Sequence, residues 1–364
     1  MKIVKFSGND PVQKQFASAL RKNVHEYFAG KNLSVKATAA MYFKAIVMLT
    51  LYIALFVFLL TMPMGWGFAL LLIILMGIGE AGIGMSVMHE AAHGSFSGKK
   101  WINRLLASTM YMLGSNTFNW KVQHNLLHHR FTNIYGFDQD IETHSVIRLS
   151  DHAPLKKFHR FQHRYTFFLY GLMTLSKLVT DFGQLMDFNK SGITLEQNHD
   201  PVKENVKLFF SKVIYLSIII GLPWRFTNFS WWQILTGFSI LHVTAGMIMS
   251  TVFQMAHVVL NTMQPLPNAK GIIENEWAVH QMNAIADFAR NNLFLNWYIG
   301  GLNFQVEHHL FPNVSHIHYR KISPIVERTA HEFGVSYNCN ATLTDALVSH
   351  FRKLKALGTI QHLV

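Results

Sequence analysis

Two stretches of this chain each hold a pair of apolar runs long enough to cross a bilayer, which takes about 20 residues of helix. The first pair runs from about Tyr42 to Met62 and from about Gly67 to Met88, joined by a tight turn at Pro63–Trp66. The second runs from about Leu208 to Trp224 and from about Trp231 to Val258. Half of the residues are hydrophobic and only 14% are charged, a balance unusual for a soluble enzyme and ordinary for a polytopic membrane protein. The expected fold is therefore an all-α membrane protein with four transmembrane helices in two hairpins. Pro223, Trp224, Trp231 and Trp232 stand where interfacial anchors belong.

Basic residues set the expected orientation. Residues 1–36 carry seven Lys or Arg, 89–207 carry fourteen and 259–364 carry eight, whereas the two hairpin turns hold only Arg225. By the positive-inside rule, both termini and the central segment face the cytoplasm. The chain reads as one integral-membrane domain, 1–364. Its parts are an N-terminal segment (1–41), a first hairpin (42–88), a central segment (89–207), a second hairpin (208–258) and a C-terminal segment (259–364). Leu105–Leu113 is too short to span, and Tyr165–Val179 is interrupted by Ser176 and Lys177, so both are expected to lie in the interface. The N-terminal segment is polar and basic and does not read as a secretory signal. A net charge of +12 suits anionic headgroups better than nucleic acid, because no basic-aromatic recognition motif accompanies it. The single cysteine, Cys339, excludes internal disulfides and thiolate metal clusters and reads as a lone thiol in the C-terminal tail.

The 21 histidines come in groups. His89-Glu90-Ala91-Ala92-His93 follows the second span directly, and in a helix its two imidazoles share one face. Alone, this is a zinc-protease signature with Glu90 as general base. His124-Asn125-Leu126-Leu127-His128-His129 repeats the spacing: His124 and His128 lie a helical turn apart, and His129 points roughly 100° away. Gln305-Val306-Glu307-His308-His309 adds a second adjacent pair. One zinc needs three or four ligands, so seven histidines and a glutamine fit two metals better. Imidazole softness alone does not separate iron from copper or zinc. Two redox-active irons would suit a greasy bundle, since they activate dioxygen against an unactivated methylene.

These three groups, in this order and between paired spans, resemble the histidine boxes of the membrane fatty acid desaturases, over roughly residues 40–320. The resemblance implies a cytoplasmic helical cap holding a di-iron site, dioxygen as co-substrate, and a lipid acyl chain as substrate. It implies ligands at His89, His93, His124, His128, His129, His308 and His309, with His257, at the end of the fourth span, completing the set. Gln305 opens the third box where other branches have histidine. This is similar to the front-end desaturases, which place a double bond between an existing one and the carboxyl end. Asn296-Trp297, Gly300-Gly301-Leu302-Asn303-Phe304 and Leu310-Phe311-Pro312 are similar to that branch too. Gln305 would bind iron directly, through water, or only by hydrogen bonding to a ligand. Many front-end enzymes carry a fused cytochrome domain with a His-Pro-Gly-Gly motif; none occurs here. That implies a separate donor, a ferredoxin or cytochrome with its reductase, drawn to a basic cytoplasmic face. By analogy of length, the resemblance also implies a bacterial inner membrane.

Asp138, Asp140, Glu90 and Glu307 would orient ligand imidazoles by accepting their other N–H groups, or would simply be solvated. Trp120, Trp277 and Gln281 would contact the acyl chain or its headgroup, or serve ordinary packing. His242 is mid-span and too far from His257 for one site, so it reads as a polar contact between helices. His159, His163, His316 and His318 read as interfacial. The alternatives are a lipid hydroxylase on the same iron scaffold, a membrane zinc protease using His89, Glu90 and His93, and a metal transporter or store. The last should place ionisable groups along the spans, which hold few beyond Lys44, Glu80, Lys212 and His242.

Overall fold

The computed structural model describes residues 4–143 and 145–359. Helix α1 (Pro11–Gly30) begins where the Asp10 carboxylate accepts the Val12 and Gln13 N–H groups, with Pro11 at its first position. Then come α2 (Ala39–Thr61) and α3 (Trp66–Ala92), the first apolar pair. The α3 helix does not stop at Met88. It passes through a π-helical turn at Gly84–Met88 and carries on to Ala92, so the first histidine group rides on the end of a membrane-length helix. A short helix α4 (Lys100–Ala107) and a continuous helix α5 (117–131) follow. Next are α6 (Gln162–Tyr170), α7 (Met173–Lys190) and the second apolar pair, α8 (Pro201–Phe226) and α9 (Trp231–His257). The α8 helix starts seven residues before the apolar run, because Asp200 caps its N-terminus and the polar turn after Pro201 stays helical.

The chain is thus an all-α membrane protein with four helices long and apolar enough to span. Phe43, Ile46 and Leu51 of α2 point outward, at 70%, 63% and 59% exposure, which in water would be an aggregation hazard and in lipid is the expected surface. The α9 helix is the axis of the bundle, packing along α3 and then against α6 and α7. Small residues permit that closeness. A Cβ on Gly77 would come within 2.9 Å of the Leu241 carbonyl oxygen, and one on Gly246 within 2.7 Å of that of Gly171. Both hairpin turns lie at one end, where the Trp66 ring is 5.4 Å from Phe229 and 6.1 Å from Trp232. Two ionisable groups of the bundle are paired between helices: His242 with Tyr215 at 2.9 Å and Thr174 at 3.0 Å, and Lys212 with Asp181 at 2.6 Å. Lys44 donates to the Trp297 carbonyl.

Neither weaker apolar stretch spans. The first ends as the 3₁₀ turn Ser108–Leu113, with Trp101 and Leu105 exposed on the helix before it. The second breaks at Gly171, packs one face on α9 and exposes Phe168 and Val179 on the other.

At the end opposite the hairpin turns sits a cap built from α1 and the helices α10 (Trp277–Ala284), α11 (Leu293–Tyr298), α12 (Gln305–Leu310), α13 (Tyr319–Glu332) and α14 (Leu343–Leu357). Phe16 and Leu20 of α1, Met282 of α10 and Ile322 and Val326 of α13 share its core. Two parallel two-residue bridges fasten distant segments: β1 (Lys5–Phe6) to β2 (Ile272–Ile273), and β3 (Asp287–Phe288) to β4 (Cys339–Asn340). Four histidines expected at the interface are instead interior. His159 accepts from the Lys156 N–H and meets the Ser145 carbonyl at 3.0 Å; His163 packs on Phe351. His318 stands edge-on to Phe28, and His316 pairs with Glu90.

Candidate metal centre

Four elements bring eight imidazoles together: α3 supplies His89 and, just past its end, His93; α5 supplies His124, His128 and His129; α9 supplies His257; and α12 supplies His308 and His309. Ring nitrogens of His89, His93, His124 and His308 converge in one group, and those of His128, His257 and His309 in a second. His129 stands between, grouped with His308 and His309 and 3.2 Å from His124, Nε2 to Nε2.

The winding of α5 differs from expectation. Lys121–His128 is π-helical, so hydrogen bonds run to the fifth residue. His124 meets His129 through Nε2, while His128 turns toward His257 and His309. The rings of His124 and His128 still stack, 5.2 Å apart, with Asp140 beside both.

The donor set fits two metals on the evidence of its unpaired atoms. His93, His128, His308 and His309 each have a buried Nε2, His129 a buried Nδ1, and His257 both ring nitrogens, without a hydrogen-bond partner among the described residues. So many unsatisfied nitrogens aimed at one another are costly unless cations bind between them. Burial, with the neighbouring imidazoles adding to it, holds His93, His124, His129, His308 and His309 well below the usual histidine range, in the neutral form that ligates. His128 behaves differently. Burial opposes its charge, but Asp138 and Asp140 outweigh that and raise it to about 9.

Around the rings lies a supporting layer. Asp138 is fully buried and receives His128 Nδ1 at 3.0 Å, while also accepting the Asn133 and Asp140 N–H groups. Asp140 is partly open, 3.3 Å from His128 Nδ1, and accepts from Gln123 at 2.5 Å. Glu90 is buried and pairs with His316 through one carboxylate oxygen, its other oxygen being without a partner among the described residues. Glu307 touches no ligand imidazole; it bonds the Tyr337 hydroxyl at 2.9 Å beside Asp287. Asp287 in turn accepts the Val306 N–H at 2.9 Å, pinning the start of α12. Gln305 is buried, and neither of its amide atoms has a partner among the described residues.

Trp120 stacks on His124, centroids 4.5 Å apart, and stands 5.4 Å from His89. Trp277 packs instead into the cap core beside α1 and α13. Gln281 is fully buried and supports the ligands: its Oε1 is 3.1 Å from His309 Nδ1, and its Nε2 donates to the His129 carbonyl. Sequence reasoning missed Thr132, 3.2 Å from His309 Nδ1, and Tyr319, whose hydroxyl is 3.2 Å from His308 Nδ1. It also missed Asn133, which ties α5 to the His257 and Ala284 carbonyls at 2.8 Å. Thr132 lies one turn past His128, a local signal; the others depend on contacts remote in sequence.

Comparison with known proteins follows the same line. A family model described as fatty acid desaturase matches residues 63–341. The chain is 33% identical to an sn-1 linoleoyl-lipid 6-desaturase of Synechocystis sp., over 95% of this chain and 96% of that one. It is 32% identical to the protein of the same name from Arthrospira platensis, over 94% and 92%. It is 30% identical to an acyl-lipid (8-3)-desaturase of Physcomitrium patens, over 96% of this chain and 73% of the other.

Proposed function

The chain belongs to the fatty acid desaturase family, and we propose that it inserts a double bond into an acyl chain of a membrane lipid, between an existing double bond and the carboxyl end. The convergence of eight buried or half-buried imidazoles, with unpaired nitrogens facing one another, carries this reading. The regiochemistry is supported by Gln305 at the head of the third box, and by relatives named as 6-desaturases of a linoleoyl lipid.

His89, His93, His124 and His308 would hold one iron, His128, His257 and His309 the other, with His129 beside both. Bound there, the irons would supply dioxygen activation and removal of hydrogen from an unactivated methylene. The chain's own groups orient and exclude. Asp138 fixes His128 in the tautomer that leaves Nε2 free, Gln281 and Thr132 do the same for His309, and Tyr319 for His308. Trp120 and Phe253 lay apolar surface against His89 and His124, where an acyl chain would pass and water would not. Because α3 and α9 deliver ligands straight from membrane-length helices, a lipid tail reaches the centre without leaving the membrane. Both termini and the centre face the cytoplasm in this reading, and electrons come from a separate ferredoxin or cytochrome with its reductase.

The test is expression in a host without polyunsaturated products, fed defined fatty acids, with methyl esters profiled by mass spectrometry. Wild type should yield a product lighter by two hydrogens, with its new double bond on the carboxyl side, and His308→Ala should yield none. A product heavier by one oxygen would instead establish a hydroxylase.

A further inference from the structure

Between Tyr27 and Phe137 the chain holds only two acidic residues, Glu80 and Glu90, and both are buried. The same stretch carries exposed Lys31, Lys99, Lys100, Arg104 and Arg130 and half-buried Lys36 and Lys121. Three of these meet at one place. Lys36 donates to the Gly94 carbonyl at 2.9 Å and to that of Asn313 at 3.2 Å. Asn103 donates to the Ser97 carbonyl at 2.7 Å, docking α4, and with it Arg104, beside the same turn. Lys121 lies close enough to His93 and to Arg104 for their charges to act on one another. None of the three has a carboxylate within ion-pair distance among the described residues. In their midst is His93, half-buried where the other seven ligand histidines are buried. The ligand histidine most open to the surface is thus the one around which these basic side chains gather.

We propose that Lys36, Arg104 and Lys121, set around the edge of His93, are the landing site of an acidic one-electron carrier. This rests on the desaturase reading above. One turnover takes a CH₂–CH₂ unit, dioxygen, two electrons and two protons to CH=CH and two waters. The electrons arrive singly from two molecules of reduced carrier, and the protons come from solvent. A one-sign patch at a redox centre steers an oppositely charged partner and fixes its approach. An anionic lipid headgroup would gain nothing from proximity to His93. Lys36 is also seated against the cap.

The test uses the full chain in nanodiscs of zwitterionic phosphatidylcholine, with an acidic plant-type [2Fe–2S] ferredoxin as probe. Binding is measured by surface plasmon resonance from low to physiological salt, and reduction of the iron-loaded protein by stopped flow. Lys36→Glu/Arg104→Glu/Lys121→Glu is compared with Lys14→Glu/Lys22→Glu/Arg328→Glu, exposed positions on α1 and α13. The patch variant should bind ferredoxin about tenfold or more weakly, with a flattened salt dependence, while the control stays within about twofold. Reduction by dithionite should be unchanged in both. Equal affinity in the two variants overturns the proposal. So does retained ferredoxin affinity with lost binding of phosphatidylglycerol vesicles, which would make the patch a headgroup site. Ferredoxin binding is read without any lipid product, so a protein that binds it as expected but desaturates nothing overturns the desaturase reading alone.

Discussion

His124 and His128 stand four residues apart on one helix, and their rings are held by opposite means. His128 belongs to a set backed by fixed polar groups: Asp138 at 3.0 Å from its own Nδ1, and Gln281 and Thr132 at 3.1 and 3.2 Å from that of His309. His124 belongs to a set in which rings lean on rings. Trp120 stacks on it, and its Nε2 meets that of His89 at 3.0 Å. Burial keeps His93, His124 and His308 free of protons, whereas His128 in the other set is built against two carboxylates that draw one in. The two metals of one centre are thus expected to be acquired under different rules.

The comparison breaks first at Asp138. Asp138→Asn should weaken iron at the second set by about 10–100-fold, whereas Trp120→Leu should leave both sets within a few-fold; equal losses in iron titrations would show that the two are not separately supported. Acidity sharpens it next. His128 lies at about 9, above its ordinary value, so near neutrality a proton must be displaced before iron binds. Affinity at the second set should rise about tenfold per pH unit from neutrality toward pH 9 and then level, while the first set stays flat. In the metal-free protein the sign is reversed. Protonated His128 stabilises the fold fully below its ordinary value, and that contribution is lost as pH rises through about 9. Calorimetric titrations in buffers of different ionisation enthalpy would count the displaced protons. The smallest effect is expected at Tyr319→Phe. Losing the hydroxyl on His308 should cost about 1 kcal/mol, roughly fivefold in iron affinity, felt mainly in the first set.

Much of this was legible in the sequence, and unevenly. The four spans follow from apolar length alone, and the His89–His93 pair from ordinary helical spacing on the end of one of them. The partition of the second box was not legible, because nothing in Lys121–His128 marks the change from the fourth to the fifth residue. The role of Gln281 was misplaced toward substrate, since its partners His309 and Thr132 lie 28 and 149 residues away. His316 was set aside as interfacial for the same reason: its partner Glu90 is 226 residues distant, and only the docking of the cap on α3 brings them together.

The π-helical winding of α5 also bears on how such a chain can change over time. A π turn is an α turn holding one residue more, so removing a residue there draws the segment back to α winding and changes the phase of the histidines relative to one another. A one-residue deletion at Asn125, Leu126 or Leu127 would spare every histidine while placing His128 three and His129 four residues after His124, changing which ring faces which group. Substitutions at Val122 or Leu126 can drift within the limits of packing, but the length of this segment is locked. Its tolerance is a matter of counting before it is a matter of chemistry.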